Sequence, residues 1–396
     1  MNDNRHTKWI LPAIIVAQFF CTSLWFAGNA VLPDLIKNFN AGPGLLANLT
    51  SAVQFGFITG TLVFAVFTIA DRFSPSMVFF CCSILGALFN AGILINSITP
   101  SALLLFRFLT GFFLAGIYPV GMKIAADHFQ KGLGKSLGFL VGALVLGTAF
   151  PHLLKSITAQ LPWKYVIISI SVLSVIGGSI ILFAVPDGPY RKQSWQLQFT
   201  AFLSGLHNKN FRSAATGYFG HMWELYSFWA FVPVMLTVNK NHTHNNLNIS
   251  FLSFLIIACG ALACAASGLL SQRFGAKKIA TIALFLSCLC CLLSPFFLLT
   301  TSAPLLLAFL FFWGLVVIAD SPLFSTLVAQ NVAEELRGTS LTIVNCIGFS
   351  ITIISIQTIK ILSDNIGDRY IYMILAAGPV IGLIALLSNN KKDVIK

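Results

Sequence analysis

Charged side chains are scarce in this 396-residue chain, where Asp, Glu, Lys and Arg together make up 9%. An ordinary soluble domain carries about a quarter, so a soluble enzyme or binding module is excluded as the body of the protein. Acids are the scarcer sign, 12 against 24 lysines and arginines. The bases lie in short connections and form no single patch, so the net charge of +12 does not indicate nucleic-acid binding. Zinc-protease HExxH and serine-hydrolase GxSxG motifs are missing, and so is any polar stretch long enough for a soluble signalling domain. Cysteine is present nine times, but Cys21, Cys81, Cys82, Cys259, Cys264, Cys288, Cys290, Cys291 and Cys346 all sit within apolar runs, which argues against a disulfide framework.

Hydrophobicity takes the place of what is missing. Apolar residues make up 57% of the chain, and runs of about 20 residues or more, long enough to cross a hydrocarbon core, recur throughout. Twelve are predicted, over residues 9–33, 44–70, 74–97, 101–126, 134–157, 163–185, 212–237, 248–272, 276–300, 303–330, 338–362 and 368–388. The expectation is an all-α membrane protein. The first run, led by Arg5 and Lys8, is too long for a signal-peptide core and is read as retained. With a cytoplasmic N-terminus, Arg72, Lys131, Lys135, Arg191, Lys192, Lys209, Arg212, Arg273, Lys277 and Lys278 fall in inward connections, whereas outward loops hold only Lys37, Lys155, Lys164, Lys240, Lys360 and Arg369. This bias predicts a multi-pass protein of the cytoplasmic (inner) membrane with both termini inside.

The two halves repeat. Pro33 matches Pro233, Arg72-Phe73 matches Arg273-Phe274, Pro119 matches Pro322, Gly134-Lys135-Ser136-Leu137 matches Gly338-Thr339-Ser340-Leu341, and Lys164-Tyr165 matches Arg369-Tyr370. The offset climbs in order along the chain, as small loop insertions produce. Six spans per half orient both halves alike. The division expected is a six-helix bundle over 1–190, a cytoplasmic linker over 191–211 and a second six-helix bundle over 212–396.

Local motifs add a family likeness. GLLSQRFGAKK (268–278) resembles the loop between the second and third spans of major facilitator superfamily transporters, with Gln272 in place of the acid. FTIADRFSPS (67–76) keeps Asp71 and Arg72 of the same pattern, RFLTGFFLAG (107–116) resembles the family's fourth-span arginine motif, and ELRGTSL (335–341) resembles its entry to the eleventh span. The resemblance implies twelve helices in two pseudo-symmetric bundles, with spans 1, 4, 7 and 10 lining a central cavity and with Asp71, Arg72, Arg273 and Lys277 in gating loops. Gly138, Gly142, Gly147 and Pro151 match the family's antiporter pattern only in part, and close helix packing explains them as well.

A charge at the bilayer centre costs roughly 2.5 to 3.5 kcal/mol even on a lenient scale, so the exceptions carry information. Only Glu224 and Asp320 among the acids lie well inside predicted spans. Arg107 is the deeply placed arginine, and His221 stands one turn before Glu224. Span 1 contributes an uncharged polar stripe of Gln18, Thr22, Trp25 and Asn29. Glu224 is expected to be the proton-coupling acid, with His221 as its tuner or relay and Asp320 as a second carboxylate binding substrate or proton; the alternative is a structural ion pair that locks the bundle. Gln18, Thr22, Trp25, Asn29, Arg107, Tyr118, Glu224, Phe228, Trp313 and Asp320 are the candidate substrate-binding residues. Arg107 and Tyr118 share a face if the helix is straight, and Arg107 suits either an anionic group or a structural role. Lys123 is expected to snorkel toward the cytoplasm, and Lys155 to anchor at the outer interface.

Two weak signals are set aside. GLGKS (132–136) lacks the earlier glycine of a phosphate-binding loop, and NHTHNN (241–246) reads as a solvated loop. No cofactor is expected. The leading reading is a monomeric secondary transporter for a small polar, zwitterionic or amphiphilic organic solute, coupled to protons and working by alternating access in the lipid bilayer, with no nucleic-acid partner. A divalent transition-metal transporter using His221, Glu224 and Asp320 is the alternative, and a membrane enzyme or sensor is a third class.

Overall fold

A computed structural model describes residues 3–95, 98–129, 133–191, 205–333, 336–363, 365–366 and 369–388. Lys131, Lys192, Glu335 and most of the expected linker lie outside these residues. Among the described residues all regular structure is helical.

Twelve spans follow in chain order. Span 1 is made of Asp3–Thr22, Ala27–Ala30 and Leu32–Phe39. Leu45–Val66, Pro75–Gly92 and the pair Pro100–Leu114 and Tyr118–His128 form spans 2 to 4, and Leu133–Ile157 and Lys164–Ala184 form spans 5 and 6. Spans 7 to 9 are Lys209–Thr243, Ile249–Phe274 and Ala276–Phe297. Span 10 joins Ala303–Ala319 to Ser321–Gln330, span 11 is Arg337–Ser363, and span 12 runs as a tight 3₁₀ turn Ile371–Ala376 into Ala377–Ser388. Ten spans meet simple length and hydropathy requirements for crossing a membrane. Of the other two, span 1 has a shorter apolar helix, Trp9–Thr22, because it breaks there, and span 7 carries His221 and Glu224 in mid-helix.

Contacts divide the chain into two compact units. One holds Met1–Leu197 with Leu247–Ala261, the other Gln198–Asn246 with Leu262–Lys396. In the first unit, span 2 packs on span 4, and spans 3 and 6 pair with each other. The approach of spans 2 and 4 depends on missing side chains: a Cβ on Gly56 would overlap the Phe108 carbonyl, and one on Gly111 would overlap that of Val53. In the second unit, spans 7 and 12 meet in the same way through Gly220 and Gly378, each opposite the other's carbonyl. Where apolar side chains face hydrocarbon on one side and protein on the other, little hydrophobic drive favours helix pairing, so backbone contact through small residues supplies it.

Three spans are interrupted. Span 4 breaks at Ala115–Ile117 just before Pro119, and span 10 breaks at Asp320 just before Pro322, as a residue lacking an N–H and clashing with the preceding turn dictates. Span 1 breaks over Ser23–Phe26, where there is no proline. Span 7 instead runs unbroken through Pro233 for 35 residues.

Candidate functional site

Span 7 buries His221, Glu224 and Phe228 among its interior side chains in the second unit. Glu224 is 1% exposed. It accepts one hydrogen bond from Ser287 Oγ of span 9 at 2.9 Å and another from Trp313 Nε1 of span 10 at 2.6 Å. The Cys291 thiol is a further hydrogen-bond partner of the carboxylate, and among the described residues no lysine, arginine or histidine pairs with it. Phe228, one turn further on, closes over Trp313 with ring centroids 4.7 Å apart, and Phe309 lies 5.5 Å from the same indole. The aromatic residues form an apolar wall around a single acid, fixing the indole that holds it.

His221 takes a different partner from the one its spacing suggests. It was expected to tune Glu224 as a neighbour one turn away, but its Nδ1 lies 2.7 Å from Asp320 Oδ1, both side chains being 1% exposed. The reason is the interruption of span 10, which sets Asp320 at the junction of two helical pieces facing span 7. Neighbourhood along one helix permits a contact, whereas the facing helix decides it. Two acid sites therefore share the unit: a hydrogen-bonded carboxylate without a cation, and a carboxylate–imidazole pair. Among the described residues no three His, Cys, Asp or Glu side chains gather as a metal site requires, so His221, Glu224 and Asp320 do not form the ligand set of the metal reading.

The polar residues of span 1 lie in the first unit. Gln18, Thr22, Trp25 and Asn29 are all 5% exposed or less. Asn29 donates to Thr50 Oγ1 of span 2 at 2.9 Å, Trp25 packs on Phe57 at 4.8 Å, and Thr22 returns its hydroxyl to the Gln18 carbonyl at 2.7 Å. Arg107 is fully buried. Its Nη2 donates to the carbonyls of Leu24 and Trp25 at 2.9 and 2.8 Å, and its Nη1 to Asn90 Oδ1 at 2.9 Å. The arginine thus satisfies backbone oxygens freed by the break in span 1, and this break forms without proline because a tertiary donor replaces the lost helix bonds. Tyr118 begins a new helical piece after the break in span 4, so the straight-helix face it was expected to share with Arg107 does not exist.

At the span ends, the expected snorkelling of Lys123 gives way to ion pairs with Asp71 at 2.9 Å and Asp127 at 3.7 Å. Lys155 likewise pairs with Asp34 at 2.7 Å and is no lone interfacial anchor. In both cases an acid on a neighbouring element lies within reach of a long flexible amine. Arg72 donates to Thr68 Oγ1 at 3.1 Å, and Arg191 clasps the same loop through the carbonyls of Asp71 and Phe73. Arg273 lies over the Phe274 ring at 5.3 Å. Lys277 lines a cavity of about 230 Å³ together with Asn210, Ser213 and Asn331.

Sequence reasoning passed over several buried polar groups. Gln54 and Thr61 of span 2 and Thr148 and His152 of span 5 are all at least nine-tenths buried. Uncharged polar residues within predicted spans are the signal that marks them, and they drew less notice than full charges.

The Major Facilitator Superfamily profile matches residues 14–356. No curated protein matches the chain in sequence. Solved structures with the same fold include the nucleoside transporter NupG (TM-score 0.72, 14% identity, 96% of this chain and 100% of that one). They also include a bacterial homologue of the human lysosomal transporter Spinster in an inward-facing, unoccupied conformation (0.69, 15%, 98% and 96%). A third is the proton:xylose symporter XylE bound to a bromo-deoxyglucose (0.75, 11%, 98% and 96%). At these identities the likeness is one of fold.

Proposed function

Because the chain belongs to the major facilitator superfamily, we propose that it is a secondary active transporter working by alternating access, moving a small polar, zwitterionic or amphiphilic organic solute and coupling that movement to protons through Glu224. The observation that carries this reading is the solitary carboxylate. Glu224 is buried, its two oxygens are served by Trp313 and Ser287, and among the described residues no cation neutralises it. Binding or releasing one proton there changes the charge of the site by a whole unit. A unit charge moved through 100 mV corresponds to about 2.3 kcal/mol, enough for a useful solute gradient.

His221 and Asp320 form a second acid site, which binds proton or solute through the carboxylate while the imidazole holds it in place. Within the first unit Trp25 offers the solute an apolar face and Gln18, Thr22 and Asn29 polar ones; within the second, Phe228 and Trp313 offer apolar ones. Asp71, Arg72, Arg273 and Lys277 belong to the loops that open and close the path, and Lys123 of span 4 holds Asp71. The excess of lysine and arginine in alternate connections supports a cytoplasmic-membrane protein with both termini inside. The named relatives support the cargo class by analogy, since one carries nucleosides and another xylose with a proton.

The test is purified protein in liposomes with an imposed pH gradient and no other driving force. Wild type concentrates its solute; Glu224→Gln exchanges solute down a gradient but does not concentrate it. Uphill accumulation by Glu224→Gln at the wild-type rate overturns the coupling role.

A further inference from the structure

The break in span 1 is bordered by buried polar atoms that no described residue satisfies. Gln18 and Gln54 are fully buried, and among the described residues neither amide atom of either side chain has a hydrogen-bond partner. Thr148 Oγ1 and His152 Nε2 are in the same condition, with residue exposures of 0% and 2%. A buried polar group left unpaired costs about 1 to 3 kcal/mol. Native interiors tolerate few of these, and several in one region of one unit point to something that binds there.

Helix contacts place the four groups at the level of the same stretch of span 1. On the span 2 side, Asn29 meets Thr50 and Trp25 meets Phe57. Gln54 lies between Thr50 and Phe57 on that helix face, one turn from each, so it faces the interval between Asn29 and Trp25. On the span 5 side, a Cβ on Gly147 would run into Thr22, and Lys155 pairs with Asp34. Thr148 and His152 fall between those two contacts along span 5, at the same level as this stretch of span 1, and lie one turn apart on one face. Gln18 sits one turn below Thr22, its Oε1 pressed against Gly121 of span 4.

The chemistry of the set is neutral. It offers two carboxamides, a hydroxyl and one imidazole nitrogen, each able to donate or accept, and it contains no carboxylate or amine. Arg107 is close by, but both of its Nη atoms are bound to Leu24, Trp25 and Asn90. Among the described residues its Nε has no hydrogen-bond partner, and it lies beside Gly28.

We propose that Gln18, Gln54, Thr148 and His152 form a subsite in the first unit that recognises neutral hydrogen-bonding groups of the transported solute, such as neighbouring hydroxyls or an amide. The inference rests on the transport reading above and narrows its cargo to solutes that present an uncharged polar end to this unit. Specificity follows from the cost of leaving these groups unmet: a solute lacking the hydroxyl or amide leaves buried donors and acceptors unpaired, and a site of this kind rejects it strongly.

The test uses the full chain purified in detergent and a fixed panel. D-xylose, uridine, N-acetylglucosamine and myo-inositol are the neutral probes; gluconate, uridine monophosphate and choline are the charged ones. At least one neutral probe raises the melting temperature of wild type. Gln54→Leu and His152→Leu each weaken its binding at least ten-fold, and the ligand-free proteins melt at or above the wild-type temperature, because an unmet polar group has been removed. Thr148→Val, a near-isosteric change, repeats the measurement if a leucine variant fails to fold. The proposal is overturned if only charged probes bind, if no neutral probe binds, or if the variants bind as wild type does, in which case the groups are bridged by water. Glu224→Gln separates the two claims: accumulation by that variant removes the coupling role and leaves the subsite standing, while full-strength binding to the Gln54 and His152 variants removes the subsite alone.

Discussion

His221 Nδ1 lies 2.7 Å from Asp320 Oδ1 across spans 7 and 10, while Glu224, one turn from His221 on the same helix, is held by Trp313 and Ser287. Two buried acids in one unit thus differ in kind. One faces an imidazole, and the other is held by neutral donors.

The pair should be strongly non-additive. Replacing one partner, as in His221→Leu or Asp320→Leu, leaves the other buried alone, a loss expected to cost about 3 to 5 kcal/mol. The double leucine variant should recover much of that, because no unpaired group remains. Thermal unfolding of the four proteins in detergent gives the cycle; additive losses would mean that the two side chains are not coupled.

Arg107 should be irreplaceable by lysine. One guanidinium reaches two carbonyls and the Asn90 amide oxygen at once, whereas an ammonium is a point donor on a flexible stem. Arg107→Lys is expected to lose roughly 2 kcal/mol or more, in line with hydrogen bonds to charged groups. Amide hydrogen exchange should quicken over residues 23–27, while spans 5 and 6 keep their protection. Unchanged exchange over that segment would show that the break is held by something else.

The packing of spans 2 and 4 should not admit a side chain. Gly56→Leu forces the helices apart, because its first carbon already overlaps the Phe108 carbonyl. Gly138→Leu, where nothing lies within 4 Å of an added Cβ, serves as the control. Gel-filtration profiles of the two proteins should differ, with Gly56→Leu aggregated and Gly138→Leu monodisperse.

Much of the architecture could be read from hydropathy because membrane spanning imposes a length and a composition together. The isolated ionisable groups stood out for the same reason, each being costly to bury in hydrocarbon. Partner choice was not readable. His221 looked committed to Glu224 by spacing, but the break at Asp320 turned it to span 10. The break in span 1 was hidden too, since Ser23–Phe26 contains no proline or glycine and depends on an arginine more than 80 residues away. Gln54, Thr148 and His152 were visible as letters, but burial without a partner is a property of the folded unit, so sequence could not rank them.

The unbroken length of span 7 has a consequence for how the second unit bends. Thirty-five helical residues make a rod of about 52 Å at 1.5 Å each, much longer than the hydrocarbon is thick. Against this mast stands a jointed neighbour, span 10, whose knee is Asp320. The imidazole of His221 is the clasp between mast and knee, so any swing of Ser321–Gln330 about its upper segment must first stretch or undo that clasp.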